Sequence, residues 1–289
     1  RNATKLDLSL VVSDRPAVGV GVYTQNLVSA APVNFDRART PSDRIRCIAI
    51  NSGVANACTG DQGDRDAAQM AAAAAEACGA SADDALVMST GVIGDMLPLD
   101  KIRAALPKLA AELGNDEASL ERAARGMMTT DTVPKLRGRT VKIGDQTITV
   151  TGMAKGAAMI GPNMSTMLAL IMTDAALSKG DAQAALSDAV EESFNCISVD
   201  GHMSTNATVL LVANGAAGGP VAGATVLLER FVGQSSGSLE VRTDADGRWT
   251  AVDVHGGRYR FRASDATRRP ASRQDDCRQP ACEDRHRRR

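Results

Sequence analysis

A serine-threonine pair at the start of an apolar run is the first feature of this sequence that could do chemistry. It lies in AKGAAMIGPNMSTMLALIMTDA, residues 154–175, where Ser165 and Thr166 follow a Gly-Pro-Asn turn. A threonine hydroxyl becomes nucleophilic when a base takes its proton. Cleavage before Thr166 would free an α-amine of pKa about 7.7–8.0 to be that base. The alternative is a hydroxyl that only caps the start of a strand.

Composition limits the classes of partner. The chain has 289 residues, of which 44% are hydrophobic and 2% aromatic, with a net charge of -1. This balance does not indicate a nucleic acid or an anionic membrane as partner. No apolar run approaches the roughly 20 residues that span a bilayer. Because the chain opens at Arg1 without a signal-type segment, we expect a trimmed start.

The cysteines and histidines do not predict a metal site. No C-x-x-C pair is present, and the chain has only three histidines. We therefore expect no metal, and we expect the first four cysteines to be reduced, buried and cytosolic. The six cysteines are Cys47, Cys58, Cys78, Cys196, Cys277 and Cys282.

Along the chain, predicted strands and helices interleave, and the sequence also predicts a hairpin with Gly-Asp at its tip. This mixture favours a mixed sheet layered with helices over a purely parallel order. Strands are predicted at 4–12, 18–24, 44–51, 86–90 and 204–213, a hairpin at 140–150, and helices at 64–78, 100–113, 116–127 and near 181–194.

The character of the sequence changes after residue 219. Residues 220–263 contain short alternating strands joined by Gly/Asp turns, which predict a β-rich segment resembling part of a carboxypeptidase-regulatory-like β-sandwich. Residues 264–289 are rich in arginine and have no apolar period, so we expect disorder. A nucleic-acid arm is the alternative for the arginine cluster.

Six stretches in order resemble one family, the ornithine acetyltransferases (bifunctional glutamate N-acetyltransferases) of arginine biosynthesis. One is the 154–175 segment, with Gly152 and Met153 before it. The others are GVYTQNLVSAAPV at 21–33, NSGVANACTG at 51–60, STGVIGDMLP at 89–98, MMTTDTVPK at 127–135 and SFNCISVDGHMSTN at 193–206.

The resemblance implies a self-cleaving cytoplasmic enzyme with an α/β fold, a layered αββα sandwich resembling N-terminal-nucleophile hydrolases. Residues 1–219 would be the acetyltransferase-like region, with the α part at 1–165 and the start of the β part at 166–219. The cleaved parts would form an α2β2 heterotetramer. The implied reaction moves an acetyl group from N2-acetylornithine, and in some members from acetyl-CoA, to glutamate without a metal or a bound cofactor.

The resemblance also assigns residues. Thr166 matches the nucleophile. Thr90 with Gly91, in STGVIG, matches the pair that lines the oxyanion hole. The resemblance agrees with the chemistry, because acyl transfer passes through a tetrahedral oxyanion that needs preplaced donors, each worth roughly 3–4 kcal/mol, and a glycine lets its N–H approach closely. An ordinary strand-ending turn is the alternative for this Ser-Thr-Gly. Lys155, eleven positions before Thr166, matches a substrate-contacting lysine that would hold a carboxylate. Thr129 matches a substrate-binding threonine, with neighbouring Thr130 left open. A solvated surface lysine is the alternative for Lys155.

Some positions depart from the family pattern. His202 and Ala207 stand where members often have acidic residues, and residues 220–289 contain no match to the family's substrate-binding glutamate. Two alternatives therefore stay open. One is a related self-processing amidohydrolase or aminopeptidase, and the other is a non-catalytic chain whose β-rich tail is an interaction module.

Overall fold

The structure is a computed structural model in which the chain divides into two compact units, Arg1–Pro220 and Val221–Arg289. Each unit is described by itself below. The described residues are 5–143, 146–161 and 167–218 of unit 1, and the backbone of 225–232, 235–242 and 258–264 in unit 2.

Unit 1 contains a seven-stranded mixed sheet. Its strand order is β3-β2-β1-β7-β6-β5-β4. The β2/β3 and β6/β7 pairs are parallel and the other pairs are antiparallel. The strands are β1 Leu8–Tyr23, β2 Ser42–Val54, β3 Ala85–Val92, β4 Lys135–Ile143, β5 Gln146–Lys155, β6 Leu168–Thr173 and β7 Thr208–Ala213.

Five α-helices are found in the described part of unit 1. Four of them match the helices predicted from the sequence, and the mixed α/β class is confirmed. The helices are α1 Ala31–Arg37, α2 Gly60–Ala77, α3 Leu99–Ala111, α4 Glu117–Gly126 and α5 Lys179–Glu191.

Alternating residues of the strands send apolar side chains to both faces of the sheet. On one face, Cys47 and Ala49 of β2 pack with α2 and α3, and Val209 of β7 packs with α5. On the opposite face, Ile48 and Ile50 of β2 pack in a cluster with α4. Because both faces carry buried residues, the central strands read as continuous apolar runs.

Strand β1 joins two strands that the sequence predicts separately. Val12 pairs with Cys47, whereas Ala17 pairs with Ile45, so β1 carries extra residues against β2. Such a bulge absorbs Pro16, which cannot donate to a regular ladder. The continuous strand is a correction to the predicted break between 12 and 18.

Glycine and proline have different effects on two helices. Gly79 follows α2 with a φ of +64°, the left-handed conformation that ends a helix, as predicted. Pro107 lies inside α3 and does not end it at that point. Ile102 and Leu106 are buried against the α2 face, and this packing outweighs the hydrogen bond that the proline removes.

Helix α1 is a finding that the sequence did not predict. It has seven residues with a proline in its first turn, too short to show a clear helical period. Its residue Asp36 is fully buried, and one carboxylate oxygen accepts the Val87 N–H at 2.9 Å. Burial raises the pKa of Asp36 well above its ordinary value.

The hairpin predicted at 140–150 is present as β4 and β5, although its Gly144-Asp145 tip lies outside the described residues. In unit 2 the described strands form an antiparallel sheet of order β10-β8-β9. These strands are β8 Thr225–Val232, β9 Ser235–Arg242 and β10 Arg258–Ser264. The strand expected in RWTAVDV, 248–254, and the tail 265–289 lie outside the described residues.

The cysteine prediction is correct in part. Cys47, Cys58, Cys78 and Cys196 are free thiols. Cys47 is buried, but Cys58 and Cys196 are exposed, which corrects the expectation that all four would be buried. Cys58 has a positive φ in the turn before α2, and Cys196 lies in the short 3-10 turn after α5, where no core packs against them.

Among the helices that the structure describes, none is both long and apolar enough to cross a membrane.

Candidate active site

The carboxyl end of β3 brings Thr90 and Gly91 to the edge of the sheet, beside the end of β2. The parallel register pairs Ser52 with Thr90 and Gly53 with Gly91. Gly91 has a φ of +137°, and a Cβ there would lie 2.1 Å from the Gly53 carbonyl carbon. Because only glycine fits this close approach, position 91, which the sequence analysis assigns to the oxyanion pair, requires a glycine.

Lys155 ends strand β5 and contacts the predicted oxyanion pair. Its side chain is only 3% exposed, and its Nζ donates to the Thr90 Oγ1 at 3.1 Å. The structure thus places Lys155 and Thr90, 65 residues apart in sequence, in direct contact. The alternative of a solvated surface lysine is wrong.

Burial lowers the pKa of Lys155 to about 8. The nearby negative charge of Asp131 opposes this shift, and the positive charges of Lys135 and Lys5 add to it. Desolvation disfavours the charged form of a lysine. Near neutral pH the amine therefore remains mostly a cation, and a carboxylate is the anion that would stabilise it further.

Thr129 lies in the loop between α4 and β4, next to a buried carboxylate. Its backbone oxygen accepts the Lys5 Nζ at 2.5 Å, and its N–H donates to the Asp131 Oδ2 at 3.4 Å. Thr129 is half-buried, whereas Thr130 is exposed. Through Asp131, which also accepts the Gly156 N–H at 2.7 Å, the loop is connected to the residue after Lys155.

The loop 156–161 leaves β5 and is bound by a second carboxylate. Asp200 accepts the N–H of Met159 at 2.6 Å and the N–H of Ile160 at 2.8 Å. These backbone hydrogen bonds hold the pKa of Asp200 below its ordinary value of 3.8 despite the opposing effect of desolvation. A Cβ on Gly161 would lie 2.9 Å from the Gly201 carbonyl carbon, so the loop runs closely along that turn.

Asn206 joins three of the stretches that resemble the family. Its Nδ2 donates to the Ala55 oxygen at 2.6 Å and to the Ser89 oxygen at 2.9 Å. Asn206 is 5% exposed, so these are buried bonds between the 193–206, 51–60 and 89–98 stretches. The side-chain amide of Asn206 thereby fixes the end of β3 just before Thr90.

The 21–33 stretch forms hydrogen bonds with residues 204–207, on either side of Asn206. Thr24 donates its N–H to the Ala207 oxygen at 2.8 Å and its hydroxyl to the Ser204 oxygen at 2.7 Å. The Ala30 N–H donates to the Thr205 oxygen at 2.9 Å. Stretches far apart in the sequence therefore meet at one end of the sheet.

Thr166 and Ser165 lie outside the described residues, as do Pro162 and Asn163 of the predicted turn. The apolar strand predicted after the Ser-Thr pair is present as β6. Its first residue, Leu168, pairs with Lys155. Among the described residues, no group of three or more histidine, cysteine or acidic side chains could hold a metal ion.

Sequence reasoning missed the two carboxylates that bind the loops. Asp131 stands in MMTTDT directly after the threonines, and Asp200 stands in SVDGH. An aspartate before glycine is an ordinary turn signal. The partners that join these carboxylates to other parts of the chain are backbone N–H groups of residues 156, 159 and 160, which carry no residue-specific sequence signal.

The fold and the contacts define an α/β protein in which described residues of six separate stretches meet at one end of a mixed sheet. The chain belongs to the ArgJ family, whose model matches residues 1–268. This range passes the predicted boundary at 219, and that boundary stays a prediction.

Two relatives show how similar this sequence is to other members of the family and how much of each chain the similarity covers. The arginine biosynthesis bifunctional protein ArgJ of Geobacter sulfurreducens is 51% identical over 217 residues, which are 75% of this chain and 55% of the relative. The mitochondrial ArgJ of Yarrowia lipolytica is 45% identical over 225 residues, 76% of this chain and 52% of the relative. This chain spans about half the length of the curated relatives it matches.

A solved structure is also similar. The crystal structure of the arginine biosynthesis bifunctional protein ArgJ of Bacillus halodurans aligns with a TM-score of 0.52 and 34% sequence identity. The alignment covers 58% of this chain and 85% of that chain. The fold of the family is therefore supported by structure as well as by sequence.

Proposed function

We propose that this chain is a self-cleaving glutamate N-acetyltransferase of arginine biosynthesis. In this proposal Thr166 is the nucleophile, Thr90 and Gly91 line the oxyanion hole, and Lys155 with Thr129 binds the substrate. The observation that supports it best is the contact of the buried Lys155 amine with the Thr90 hydroxyl at 3.1 Å. Membership of a family whose relatives are named arginine biosynthesis proteins supports this reaction class.

The reaction has two acyl transfers. Cleavage of the Ser165–Thr166 bond frees the α-amine of Thr166, which takes the proton of its own hydroxyl. The hydroxyl oxygen attacks the acetyl carbonyl of N2-acetylornithine, the C–N bond breaks, and ornithine leaves with the proton. The glutamate amine then attacks the acetyl ester, N-acetylglutamate leaves, and the Thr166 oxygen regains a proton.

The oxyanion formed in each step needs fixed donors. Thr90 and Gly91 are fixed by the Asn206 bond to the Ser89 oxygen and by the close approach of Gly91 to Gly53. Fixed donors stabilise a tetrahedral oxyanion more than mobile ones because they need no reorganisation. The Lys155 cation would bind a carboxylate of the amino-acid substrate.

The remaining parts of the proposal concern the oligomeric state and the cellular location of the protein. We infer that the two cleaved parts stay together as an α2β2 heterotetramer in the cytoplasm, with acetyl-CoA as a possible second donor and no cofactor. Among the relatives, the fungal proteins are named mitochondrial. Sedimentation of the cleaved protein would test the assembly.

The first prediction concerns Thr166. We expect Thr166→Ala to leave one uncut polypeptide and to lose acetyl transfer. The variant lacks the hydroxyl oxygen that would attack in self-cleavage and that would carry the acetyl group in transfer. Intact mass and N-terminal sequencing measure cleavage, and an assay with N2-acetylornithine and glutamate measures transfer. Thr140→Ala, which removes an exposed hydroxyl from β4, is the matched control and should do both.

The outcomes separate the alternatives. Cleavage of Thr166→Ala at the same bond would contradict the nucleophile assignment. Cleavage of the wild-type chain with release of acetate, and without transfer to glutamate, would favour the amidohydrolase. A wild-type chain that stays whole and turns over nothing would favour the non-catalytic interaction module.

A further inference from the structure

We propose that Asp131 is a positioning residue whose carboxylate connects the Thr129 loop to the loop 156–161 and so supports the Lys155 cation. The inference rests on the proposed function, because it assigns a use to the Lys155 cation. It goes beyond that function because the proposed function gives Asp131 no role.

The geometry shows one carboxylate that serves two parts of the chain. The Asp131 Oδ1 accepts the Gly156 N–H at 2.7 Å and the Lys135 Nζ at 2.5 Å. The Oδ2 accepts the Thr129 N–H at 3.4 Å. The side chain of Asp131 is 0% exposed, and both of its oxygens accept hydrogen bonds from protein donors.

These bonds act on both predicted substrate-binding positions. Gly156 directly follows Lys155, and it has a φ of +151° that starts the loop 156–161. Fixing its N–H fixes where the Lys155 backbone ends, and fixing the Thr129 N–H orients the other position. A side chain whose bonds set the geometry of two neighbours is a supporting partner of the kind that active sites need.

The charges around Lys155 are unequal. In the described part of the chain, the charged groups that act on the Lys155 amine are Asp131, Lys135 from the start of β4, and Lys5 ahead of β1. Asp131 is the negative one, and contacts with Lys135 and Gly156 hold its pKa low although burial opposes its ionisation. Without this carboxylate, the charged groups of the described chain that act on the buried Lys155 amine would all be positive.

The test measures the titration of Lys155 in the full chain. Two-dimensional NMR of protein labelled with 13C at the lysine Cε positions follows the amine, and the signal lost in Lys155→Gln assigns it. We expect Asp131→Asn to lower the pKa of Lys155 below the wild-type value of about 8. We expect Lys135→Gln to raise it, because a like charge is removed.

The opposite signs make the test specific. Loosening of the structure would move both variants in the same direction, towards the ordinary lysine value. Asp174→Asn is the matched control, since Asp174 accepts the Thr149 N–H at 2.7 Å near the other end of β5. This control should leave the titration of Lys155 unchanged.

A kinetic measurement adds the functional consequence. In Asp131→Asn we expect KM for the carboxylate substrate to rise about fivefold at pH 8, with kcat changed less than threefold. A fall of about one unit from the wild-type pKa of about 8 would reduce the charged fraction of Lys155 at this pH from about one half to about one tenth. Asp131→Glu, which keeps the charge, should restore the titration of Lys155 more than it restores KM.

Failure of this inference can be told from failure of the proposed function. If the wild-type chain neither cleaves nor transfers acetyl groups, the proposed function is wrong, and the titration still decides the role of Asp131. If the wild-type chain is active but Asp131→Asn leaves the titration unchanged or raises the pKa of Lys155, the inference is overturned.

Discussion

At the scale of single residues, Lys155 combines burial with a charge. Lys155 is 3% exposed, its amine donates to the Thr90 hydroxyl, and burial lowers the pKa of the amine to about 8. Burying a cation removes its hydration, which costs free energy of folding unless an anion compensates for the loss. The structure therefore predicts a measurable stability cost at this position.

We expect Lys155→Met to stabilise the fold at neutral pH. The folded pKa of about 8 lies below the unfolded value of 10.5, so the unfolded chain binds more protons between these values and wild-type stability rises with pH across that window. Methionine has no such charge, so its advantage, on the order of 2–3 kcal/mol, should be full below pH 8 and lost by about pH 10.5.

Urea unfolding at pH 7 and at pH 10 measures this difference. Lys135→Met, at a lysine whose side chain is 45% exposed, is the control and should show a difference that changes little with pH. An advantage of Lys155→Met that is equal at both pH values would contradict the cost of burying the charge.

The sequence alone predicted part of this site. Lys155 and Thr90 were identified through the resemblance to a family, and their contact could not be predicted because 65 residues separate them. Asp131 and Asp200 were missed because each binds the loop 156–161 through backbone N–H groups, which carry no residue-specific signal. The Asp131–Lys135 pair lies outside a helix, where a spacing of four residues predicts no contact. Thr166, the residue on which the proposed chemistry depends, stays a prediction.

At the scale of elements, the end of β3 depends on the absence of a side chain. A Cβ at Gly91 would lie 2.1 Å from the carbonyl carbon and 2.4 Å from the carbonyl oxygen of Gly53 on the neighbouring strand. Both contacts are with backbone, which a rotamer change cannot relieve. Position 91 can therefore hold a side chain only if β2 and β3 move apart.

We expect Gly91→Ala to destabilise unit 1 by about 2–4 kcal/mol, from the overlap and from the positive φ together. Gly94→Ala is the matched control, because Gly94 has a φ of +92° but no atom within 4 Å of the added Cβ. It isolates the backbone strain, and it should cost less than Gly91→Ala by at least about 1 kcal/mol. Equal losses in denaturant unfolding would show that the close approach of β2 and β3 is not important.

Helices and strands with a long apolar periodicity were predicted well. Elements whose extent depends on tertiary packing were predicted poorly. The α2 helix and strands β2 and β3 follow from their apolar patterns. The continuation of α3 past Pro107 depends on Leu106 being fully buried among side chains of the sheet and α2. The joining of β1 depends on its register against β2, which a single strand's sequence does not contain.

At the scale of the whole molecule, unit 1 has its own core. Four apolar clusters lie entirely within residues 8–212, and they cover both faces of the seven-stranded sheet. Strand β7 lies between β1 and β6 and is buried along all six of its residues. A core that closes within one unit gives that unit its own cooperative unfolding.

We therefore expect a fragment of residues 1–220, the bounds of unit 1, to fold by itself. It should unfold in one transition, at the denaturant midpoint that the full chain shows for the loss of α-helical signal. A fragment that ends at residue 203 is the control. It lacks β7, so the β1 and β6 edges would be left unpaired, and it should bind a dye for exposed apolar surface and show no cooperative transition. If the 1–220 fragment behaves like this control, the apolar clusters of unit 1 are not sufficient for its stability, and the residues after 220 contribute to the fold that holds the site.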